Sequence, residues 1–419
     1  MAQLTDDCFA HGHELMSMDE ALATMARLAT PLTAAEDVVL AQAVGRVLVA
    51  DVTSAMNVPP HDNSAVDGYA VHFADLSPET ETILPVTGRA AAGHPLGRPA
   101  KRGEAVRIFT GAAMPEGSDT VMMQEDTRAD DGDRIVLMPG IRQGANRRRV
   151  GEDVKAGTVI LAKGHRLRPQ DVGLAASTGL ATLPCYARLS AAVFSTGDEV
   201  TEPGADLPPG GIYDANRYAL IGLLQGLGCR VTDLGILADQ GPRTAAALDC
   251  AARAHDLLVT SGGVSVGEED HVRATVERLG TLHAWHIGIK PGRPLLLGQL
   301  RQTPFIGLPG NPAAAMVTFL RLARPLILRL AGATDVEPRL YKARAAFARK
   351  KKANRREFVR VRIRPGGDGV LEAHAFPSEG AGLMSSLVEA DGLAELPEDM
   401  TRLEPGTMID ILPFSEVLA

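Results

Sequence analysis

Residues 256–272 read DLLVTSGGVSVGEEDHV, and this stretch indicates the fold class. It opens with a short apolar run, continues through three glycines among small hydroxyl residues, and leads into the helical spacing of DHVRATVERLG. A strand, a glycine-rich loop and a helix in this order are typical of a crossover unit in a parallel sheet. Ligands bind such sheets beyond the carboxyl ends of the strands, so we expect a binding site at this loop.

The same alternation extends from about residue 189 to residue 337. Strand-like and helical segments follow one another in the order RLSAAVFST, DANRYALIGLLQGLG, CRVTDLGIL, GPRTAAALDCAARA, HDLLVTS, DHVRATVERLG, PFIGLPG and PAAAMVTFLRLARPLILRLAG. This rhythm predicts a doubly wound, mostly parallel sheet with helices on both faces. Four loops, STGDE, LADQ, SGGVSVGEED and LPGNP, each follow a strand, so we expect them to meet at one edge of the sheet.

The segments on either side have β character. After one helical segment near residues 14–34, short apolar runs broken by Gly, Pro and Asp continue to about residue 150. Strand signals return from 338 to 419, where a small barrel is expected. The predicted fold class is therefore α/β plus β in several domains: β-rich N-terminal domains, a doubly wound domain with a mostly parallel sheet, and a C-terminal small β-barrel.

Composition narrows the class of protein further. The 43 basic and 51 acidic side chains give a net charge of −8, which argues against non-specific nucleic-acid binding. The four cysteines are scattered without CxxC spacing, a pattern typical of reduced thiols in a cytosolic protein. No stretch approaches the roughly 20 uninterrupted apolar residues of a membrane span, and the N-terminus is unlike a secretory signal. These features predict a cytoplasmic protein without nucleic-acid or membrane partners.

The glycine-rich loop and its carboxylates favour opposite ligands. Backbone amides between a strand and a helix suit an anion, whereas Glu268, Glu269 and Asp270 would repel one. The loop lacks both the GK[ST] ending of a Walker A site and the GxGxxG dinucleotide fingerprint. A divalent cation would reconcile the two features, because carboxylates from several strand ends can hold Mg²⁺ against a phosphate. Alternatively, the acids only stabilise the first helical turn.

Three basic segments are candidates for holding an anion. Lys290 and Arg293 in IKPGRP could bind an oxyanion, and a proline-bounded turn with solvated ends is the alternative. GANRRRVGED concentrates three arginines before two acids. ARKKKANRRE is a denser basic run, for which a solvated hairpin is favoured over a role facing an anion.

Eight motifs occur in one order along the chain: DNSAVDGYAV, RIFTGAAMPEG, RRRVGEDV, FSTGDEV, IYDANRYAL, SGGVSVGEEDHV, IKPGRP and GLPGNPAAA. Together they resemble the MoeA family of molybdopterin molybdenumtransferases, which includes the C-terminal domain of gephyrin. The resemblance covers about residues 15–330 and is weaker in the tail. It implies an enzyme that inserts molybdate into adenylylated molybdopterin with release of AMP, in a Mg²⁺-dependent reaction that completes the molybdenum cofactor.

The resemblance also implies an elongated homodimer with four domains in each chain. These would be an elongated linker and dimerisation domain at 35–52 and 151–188, a β-rich domain at 53–150, the doubly wound molybdopterin-binding domain at 14–34 and 189–337, and the C-terminal β-barrel domain at 338–419. The active site would lie between the doubly wound domain of one subunit and the β-rich domain of the other. The molybdopterin adenylyltransferase, which performs the preceding step, is an implied protein partner.

Site roles follow from the resemblance at matching positions. The catalytic residues would be Asp67, Thr110, Asp153, Glu199, Asp239 and Asp270. Asp67 and Thr110 would reach the site from the partner subunit, and Glu199, Asp239 and Asp270 would bind Mg²⁺. The substrate-binding residues would be Arg148, Asp214, Asn216, Gly262, Gly263, Ser265, Gly267, Lys290, Arg293, Pro309, Pro312 and Arg360. Among these, Lys290 and Arg293 would hold molybdate or phosphate, and Arg360 would add positive charge from the last domain.

Three positions depart from the family pattern. Arg293 stands where many relatives have lysine, which keeps the charge but alters its geometry. His286 stands where relatives often carry another lysine, so the local positive charge is weaker near neutral pH. Ala381 falls where a serine is often found, so one hydrogen bond to an anion would be missing.

Two other functions fit parts of the same pattern. A molybdopterin adenylyltransferase would share the doubly wound domain but form adenylylated pterin from ATP, and the extra β domains and DNSAVDGYAV favour the insertase. A non-catalytic pterin-binding dimeric scaffold is the second alternative, and Asp67, Asp239 and Asp270 would be unnecessary in it. Tungstate in place of molybdate is compatible with all of the motifs.

Overall fold

The computed structural model describes residues 15–237, 241–262, 271–292 and 294–418. The elements of the N-terminal part are, in chain order, α1 (Met18–Leu28), β1 (Ala35–Val39), β2 (Val52–Thr53), β3 (Asn63–Ser64), β4 (Gly68–Val71), β5 (Thr82–Ala90), β6 (Ala105–Ile108), β7 (Thr120–Met123), β8 (Thr127–Ala129), β9 (Arg134–Leu137), β10 (Arg147–Arg148), β11 (Val159–Leu161), α2 (Pro169–Ser177) and β12 (Thr182–Tyr186). Strands form a six-stranded sheet in the order β7-β4-β6-β5-β9-β8 and the antiparallel pairs β1–β12, β2–β11 and β3–β10. The expected β-rich N-terminal region is confirmed.

Helix α1 begins at a capping box. The Ser17 hydroxyl accepts a hydrogen bond from the backbone N–H of Glu20 at 3.2 Å, and the Glu20 carboxylate accepts one from the Ser17 N–H at 2.9 Å. The helix buries Met18 and Met25 in the core of the doubly wound domain rather than against the N-terminal sheet. The first helix of the sequence therefore packs against a sheet that begins more than 160 residues later in the chain.

The middle part contains β13 (Ser190–Thr196), β14 (Val200–Thr201), β15 (Ile212–Tyr213), α3 (Asn216–Gly226), β16 (Arg230–Leu237), α4 (Gly241–Ala254), β17 (Leu257–Ser261), α5 (His271–Leu279), β18 (Gly280–His286), β19 (Ile289–Lys290), β20 (Pro294–Leu300), β21 (Thr303–Leu308), α6 (Pro312–Thr318) and α7 (Arg324–Leu330). The main sheet has the order β16-β13-β17-β21-β20-β18. Neighbours from β16 to β21 are parallel, and β20 is antiparallel to both of its neighbours. The predicted mostly parallel sheet is confirmed.

The position of strand β17 in the sheet explains the apolar run at the start of residues 256–272. All five residues from Leu257 to Ser261 are buried. Leu257 and Val259 belong to the core on one face of the sheet, whereas Leu258 belongs to the core on the other face. A strand covered by helices on both faces reads as a continuous apolar run rather than an alternating one.

The predicted long helix PAAAMVTFLRLARPLILRLAG is interrupted. A π-helical turn at Phe319–Ala323 separates α6 from α7, and Pro325 lies in the first turn of α7. Proline has no N–H to donate to the carbonyl four residues earlier, so the regular hydrogen-bond ladder cannot continue through it.

The C-terminal part contains β22 (Tyr341–Ala345), β23 (Arg349–Lys350), β24 (Arg356–Pro365), β25 (Leu371–Ala375), α8 (Ser385–Val388), β26 (Gly392–Leu396), β27 (Arg402–Leu403) and β28 (Met408–Pro413). Strands β24, β25, β22, β28 and β26 form a closed ring, because β26 pairs back with β24. The predicted small barrel is confirmed.

The barrel is joined to the doubly wound domain by backbone and side-chain contacts. Strand β19 pairs in parallel with the start of β24, which places Ile289 opposite Arg356 and Lys290 opposite Glu357. Arg321 and Glu395 form a buried ion pair across the same boundary, with 2.8 Å between Nε and Oε1. These contacts hold the segment 289–292 against the barrel.

Two further observations concern the thiols and the membrane-spanning segments that were considered from the sequence. Cys185, Cys229 and Cys250 are free, and burial raises the pKa of Cys185 to about 11 and that of Cys229 to about 12. Within the described ranges, no helix combines the length and the apolarity needed to cross a bilayer.

Candidate functional site

A cavity of about 820 Å³ opens where the strand ends of the doubly wound sheet face the barrel. Glu199 after β13, Gly262 after β17 and Pro309 after β21 line it on the sheet side. These residues come from three of the four loops that were expected to meet at one edge. The remainder of the fourth loop, residues 238–240, lies outside the described residues.

Asn216 joins the loops behind the cavity. Its Nδ2 donates hydrogen bonds to the Ser261 hydroxyl at 2.8 Å and to the Gly310 carbonyl at 2.7 Å. The Ser261 hydroxyl in turn donates to the Pro309 carbonyl at 2.8 Å. Both amide hydrogens of Asn216 are therefore used to tie the start of α3 to the ends of β17 and β21. Its predicted contact with substrate stays a prediction.

Asp214 belongs to an ion-pair network around Arg217. The Arg217 side chain is 2% exposed, and its guanidinium contacts Asp214 at 2.8 Å, Asp233 at 2.6 Å and also Glu202. Burial alone would lower the pKa of Arg217, but hydrogen bonds to Asp233 and Asp214 outweigh it, and the net pKa is raised. The carboxylate of Asp214 is thereby committed to holding the loop before α3.

Cationic side chains form the opposite wall of the cavity. Lys290 Nζ lies 2.9 Å from Glu379 Oε2 and 3.8 Å from Glu357 Oε1. Arg349 contacts the same two carboxylates, Glu357 at 2.8 Å and Glu379 at 3.0 Å. Arg355 donates to Glu357 at 3.0 Å. Three cations thus share two carboxylates on this wall.

Arg360 adds a fourth cation with a different environment. It is 4% exposed, lines the cavity, and donates through Nη2 to the carbonyls of Ser378 at 3.0 Å and Gly380 at 3.1 Å. Its Nε is buried without a hydrogen-bond partner, and among the described side chains no carboxylate pairs with it. Burial accordingly lowers the pKa of Arg360 from its usual value. An unpaired buried cation beside a cavity is suited to an anionic ligand.

Comparison with known proteins places this arrangement in a family. Residues 16–179 match the MoeA N-terminal region (domain I and II), 192–329 match a probable molybdopterin binding domain, and 342–414 match the MoeA C-terminal region (domain IV). A molybdopterin molybdenumtransferase of Haemophilus influenzae is 38% identical over 405 residues, which are 96% of this chain and 100% of the relative. The chain belongs to the MoeA family.

Other relatives also match this chain along most of its length. A molybdopterin molybdenumtransferase of Nostoc sp. is 34% identical over 377 residues, covering 88% of this chain and 86% of the relative. The crystal structure of a molybdopterin biosynthesis MoeA protein from Pyrococcus horikoshii superimposes with a TM-score of 0.82 at 27% identity, covering 96% of this chain and 100% of that one. The resemblance stated from the sequence is confirmed.

Of the site residues predicted from the MoeA resemblance, the cavity brings together five of those that the structure describes: Glu199, Gly262, Lys290, Pro309 and Arg360. Pro312 is the first residue of α6, next to the cavity residue Asn311. Asp239, Gly263, Ser265, Gly267, Asp270 and Arg293 lie outside the described residues. Their predicted roles stay predictions.

Asp67 and Thr110 meet one another in the N-terminal sheet. Thr110 donates to Asp67 Oδ1 through its backbone N–H at 2.8 Å and through its hydroxyl at 2.7 Å, and these bonds lower the pKa of Asp67. Gly68 is required beside them, because a Cβ there would lie 1.9 Å from the Met122 carbonyl oxygen on the neighbouring strand. The pair is pre-organised, but neither residue lines the cavity of its own chain.

Arg148 and Asp153 lie in the same N-terminal part and are exposed. Arg148 is opposite Asn63 in the β3–β10 pair, and the Asp153 N–H donates to the Val58 carbonyl at 3.0 Å. Neither side chain lines the cavity of its own chain. The roles predicted for Arg148 and Asp153 stay predictions, like those of Asp67 and Thr110.

Glu199 is the one predicted magnesium ligand among the residues that the structure describes. It lines the cavity, and its carboxylate folds over Gly197 so closely that a Cβ on that glycine would lie 2.6 Å from Oε2. A carboxylate held at a strand end fits the hard oxygen donors that Mg²⁺ takes. In the part of the chain that the structure describes, no group of three His, Cys, Asp or Glu side chains could complete a metal site. Completion would depend on Asp239 and Asp270.

Several residues that line the cavity were not predicted from the sequence. The solvated-hairpin interpretation of ARKKKANRRE is wrong for Arg349 and Arg355, whose side chains are only 12% and 13% exposed and contact Glu357. Glu379 was not singled out at all. The signal that could have found the arginines is the acid at the end of the run, since a carboxylate within the hairpin gives buried guanidinium groups a partner.

His286 and Ala381, two residues that depart from the family pattern, both line the cavity. His286 is exposed at the end of β18, whereas the Ala381 carbonyl accepts a hydrogen bond from the Ala313 N–H at 2.9 Å. The methyl side chain of Ala381 offers an anion no donor. Charge for a ligand at this wall therefore comes from Lys290 and the arginines.

Proposed function

We propose that this chain inserts molybdate into adenylylated molybdopterin with release of AMP, the step that completes the molybdenum cofactor. The observation that carries the proposal is the cavity in which Lys290 and the unpaired Arg360 face the strand ends of the segment matched by a molybdopterin binding domain. Relatives with the name molybdopterin molybdenumtransferase support the same reaction.

In this proposal the cationic wall holds molybdate. Lys290 contributes a point charge from β19, Arg360 contributes a guanidinium whose Nε has no acceptor among the described residues, and Arg293 would add a further cation. Arg360 is fixed by the carbonyls of Ser378 and Gly380, so little side-chain entropy is lost when the anion binds.

The pterin and its phosphates occupy the sheet side of the cavity. Pro309 and Pro312 shape the floor, and the glycine-rich loop with Gly262, Gly263, Ser265 and Gly267 supplies backbone amides to the pyrophosphate. Asn216 and Asp214 orient these loops, and the Oδ1 of Asn216 remains for substrate.

Mg²⁺ would be held by Glu199, Asp239 and Asp270, and when bound it would polarise the pyrophosphate linkage and neutralise charge on the departing AMP. An oxygen of molybdate or of water forms the new bond to the AMP phosphorus as the pyrophosphate bond breaks. The two thiol groups of the freed molybdopterin then bind the molybdenum, and their two protons leave with one displaced molybdate oxygen as water. Lys290 and Arg360 keep the oxyanion beside the reacting phosphate throughout.

The proposal also includes a homodimer, a cytoplasmic location and the four-domain division given above. Asp67 and Thr110, with Arg148 and Asp153, would complete the site of the neighbouring subunit, since they lie outside the cavity of their own chain. The molybdopterin adenylyltransferase is the partner that would deliver the adenylylated pterin.

The test is AMP release from adenylylated molybdopterin with Mg²⁺, measured with and without molybdate. We expect molybdate to stimulate release by the wild type, and Lys290→Met to reduce the stimulated rate by about tenfold or more, the size of one lost charge-assisted contact. Asp270→Ala should abolish the Mg²⁺ dependence. Lys342→Met is the matched control, because Lys342 is an exposed barrel lysine paired with Asp410.

Two outcomes would overturn the proposal. Formation of adenylylated pterin from ATP would make the chain an adenylyltransferase. Tight pterin binding without AMP release, under any condition that includes Mg²⁺ and molybdate, would make it a scaffold.

A further inference from the structure

Glu379 contacts two cations of the cavity wall, Lys290 and Arg349. Its carboxylate contacts Lys290 Nζ at 2.9 Å and Arg349 Nη1 at 3.0 Å, and its side chain is 59% exposed. A carboxylate is itself an oxyanion, so Glu379 occupies the donors that an anionic ligand of this cavity would use.

The second carboxylate of the wall behaves differently. Glu357 contacts Lys290, Arg349 and Arg355, but its side chain is 1% exposed and its backbone is paired with that of Lys290. Glu357 therefore neutralises part of the wall permanently. Glu379 has water on its open side and can turn away, which makes it the exchangeable member of the pair.

The backbone around Glu379 is held by hydrogen bonds, whereas its side chain is exposed. Arg360 binds the carbonyls on either side of it, Ser378 at 3.0 Å and Gly380 at 3.1 Å, and the Ala313 N–H binds the carbonyl of Ala381 at 2.9 Å. Releasing Lys290 and Arg349 consequently requires a change of side-chain rotamer at Glu379 rather than an opening of the segment.

We propose that Glu379 is a built-in competitor for the oxyanion substrate: it occupies Lys290 and Arg349 until a tetrahedral dianion displaces it. This inference rests on the proposed function of the cavity as a molybdate site. A monoanion such as chloride gains too little from the two cations to break both contacts with Glu379, whereas a dianion gains about twice the Coulomb energy from them. Glu379 thus lowers the affinity for all anions and favours dianions over monoanions.

Its protonation state supports this role. The hydrogen bond from Lys290 is the main cause that lowers the pKa of Glu379 below its usual value, and Arg349 lowers it further. The competing carboxylate is therefore ionised throughout the neutral range, and replacement by glutamine removes the competing charge without changing the size of the side chain.

The experiment is isothermal titration of the full-length protein with molybdate, in buffers with little chloride and with about 0.1 M chloride. Glu379→Gln should bind molybdate about three- to tenfold more tightly than the wild type at low chloride, because one partly exposed ion pair no longer has to be broken. Chloride should weaken molybdate binding more in Glu379→Gln than in the wild type. A purely structural role for Glu379 would not produce this second effect.

Glu389→Gln is the matched control. Glu389 is an exposed barrel carboxylate that pairs with Arg362 and does not line the cavity, so its substitution should leave the molybdate affinity unchanged. Thermal unfolding of each variant verifies that the fold is retained, and Glu379→Ala provides a second variant without the carboxylate.

The outcomes separate this inference from the proposed function. If the wild type binds molybdate, Lys290→Met does not, and Glu379→Gln binds with unchanged or weaker affinity, the competitor role is overturned while the molybdate site stands. If neither the wild type nor Glu379→Gln binds molybdate, the assignment of the cavity is overturned, and the inference with it.

Discussion

The start of helix α3 and the barrel wall of the cavity each contain an almost fully buried arginine, Arg217 and Arg360, and these two arginines have opposite surroundings. Arg217 is surrounded by Asp214, Asp233 and Glu202, and these hydrogen bonds raise its pKa against the effect of burial. Among the described residues, Arg360 donates to two backbone carbonyls and to no carboxylate, and burial lowers its pKa. We therefore expect Arg217, which is paired with carboxylates, to stabilise the fold, and Arg360 to bind the ligand of the proposed function.

The largest expected effect is on stability at Arg217. Arg217→Met leaves the buried carboxylate of Asp214 without its cation, so the free energy of unfolding should fall by about 3–5 kcal/mol. Urea unfolding followed by the fluorescence of the single tryptophan, Trp285, measures it. Arg253→Met, which removes an exposed ion pair with Asp249, should change the free energy of unfolding by less than about 1 kcal/mol. Equal effects for the two variants would contradict a structural role for Arg217.

At Arg360 the expected effect is on binding. Arg360→Met should weaken molybdate binding by about 30- to 100-fold, the range expected for a desolvated charge-assisted contact. Its effect on stability should stay near 1–2 kcal/mol, roughly the loss of two hydrogen bonds to carbonyls, since no buried carboxylate is left unpaired. Titration calorimetry and urea unfolding measure the two effects.

Arg362→Met is the control for that experiment, because Arg362 lies two residues further along β24 on the same face and pairs with exposed Glu389. It should bind molybdate like the wild type. A loss of stability at Arg360→Met as large as at Arg217→Met, with binding unchanged, would remove the distinction between the two arginines.

The smallest expected effect is on stability at Glu104, a buried carboxylate whose charge is compensated within the protein as that of Arg217 is. Glu104 is 6% exposed and accepts hydrogen bonds from Arg98 and Thr87, both at 2.6 Å, and from the Lys101 N–H at 2.8 Å. Chiefly because of Arg98, the pKa of Glu104 falls from 4.5 to about 2. A lowered pKa in the folded state means stability that is present above pH 4.5 and is lost as the pH falls towards 2.

Glu104→Gln should therefore cost about 1–2 kcal/mol at pH 7, and the difference from the wild type should shrink between pH 4.5 and pH 2. Hydrogen exchange of the backbone amides in β5 and β6 measures this change in stability for the N-terminal sheet alone. Glu81→Gln, at an exposed ion pair with Arg128, serves as the control. If the stability difference between Glu104→Gln and the wild type grows as the pH falls, the predicted direction of the pH dependence is wrong.

Prediction from the sequence succeeded where local pattern and burial agree. The all-apolar β17 and the helices around it indicated a doubly wound sheet, because a strand buried on both faces leaves a continuous apolar signal. The antiparallel strands β18 and β20 were not identified, although PLLLGQL is apolar. A short apolar run has no periodicity that separates a strand from a buried helical segment.

Prediction of the site was limited for a similar reason. Lys290 was named from a motif and Arg360 from the family resemblance, but Arg349, Arg355, Glu357 and Glu379 were not named. The one local signal, the acid at the end of ARKKKANRRE, does not reveal which cations it contacts in space. Asn216 was named as a substrate ligand, and only the positions of Ser261 and Gly310 reveal that its amide hydrogens are bonded within the protein.

The sequence by itself determined the class of each part of the chain, the order of the strand-end loops and membership of the MoeA family, because these depend on residue spacing along the chain. Tertiary structure alone decided which charges face the cavity and which are neutralised. Lys290 and Glu379 are 89 residues apart, yet they pair because β19 joins the edge of the barrel. Electrostatic pairing depends on distance in space and on exclusion of water, and neither is written in the local order of residues.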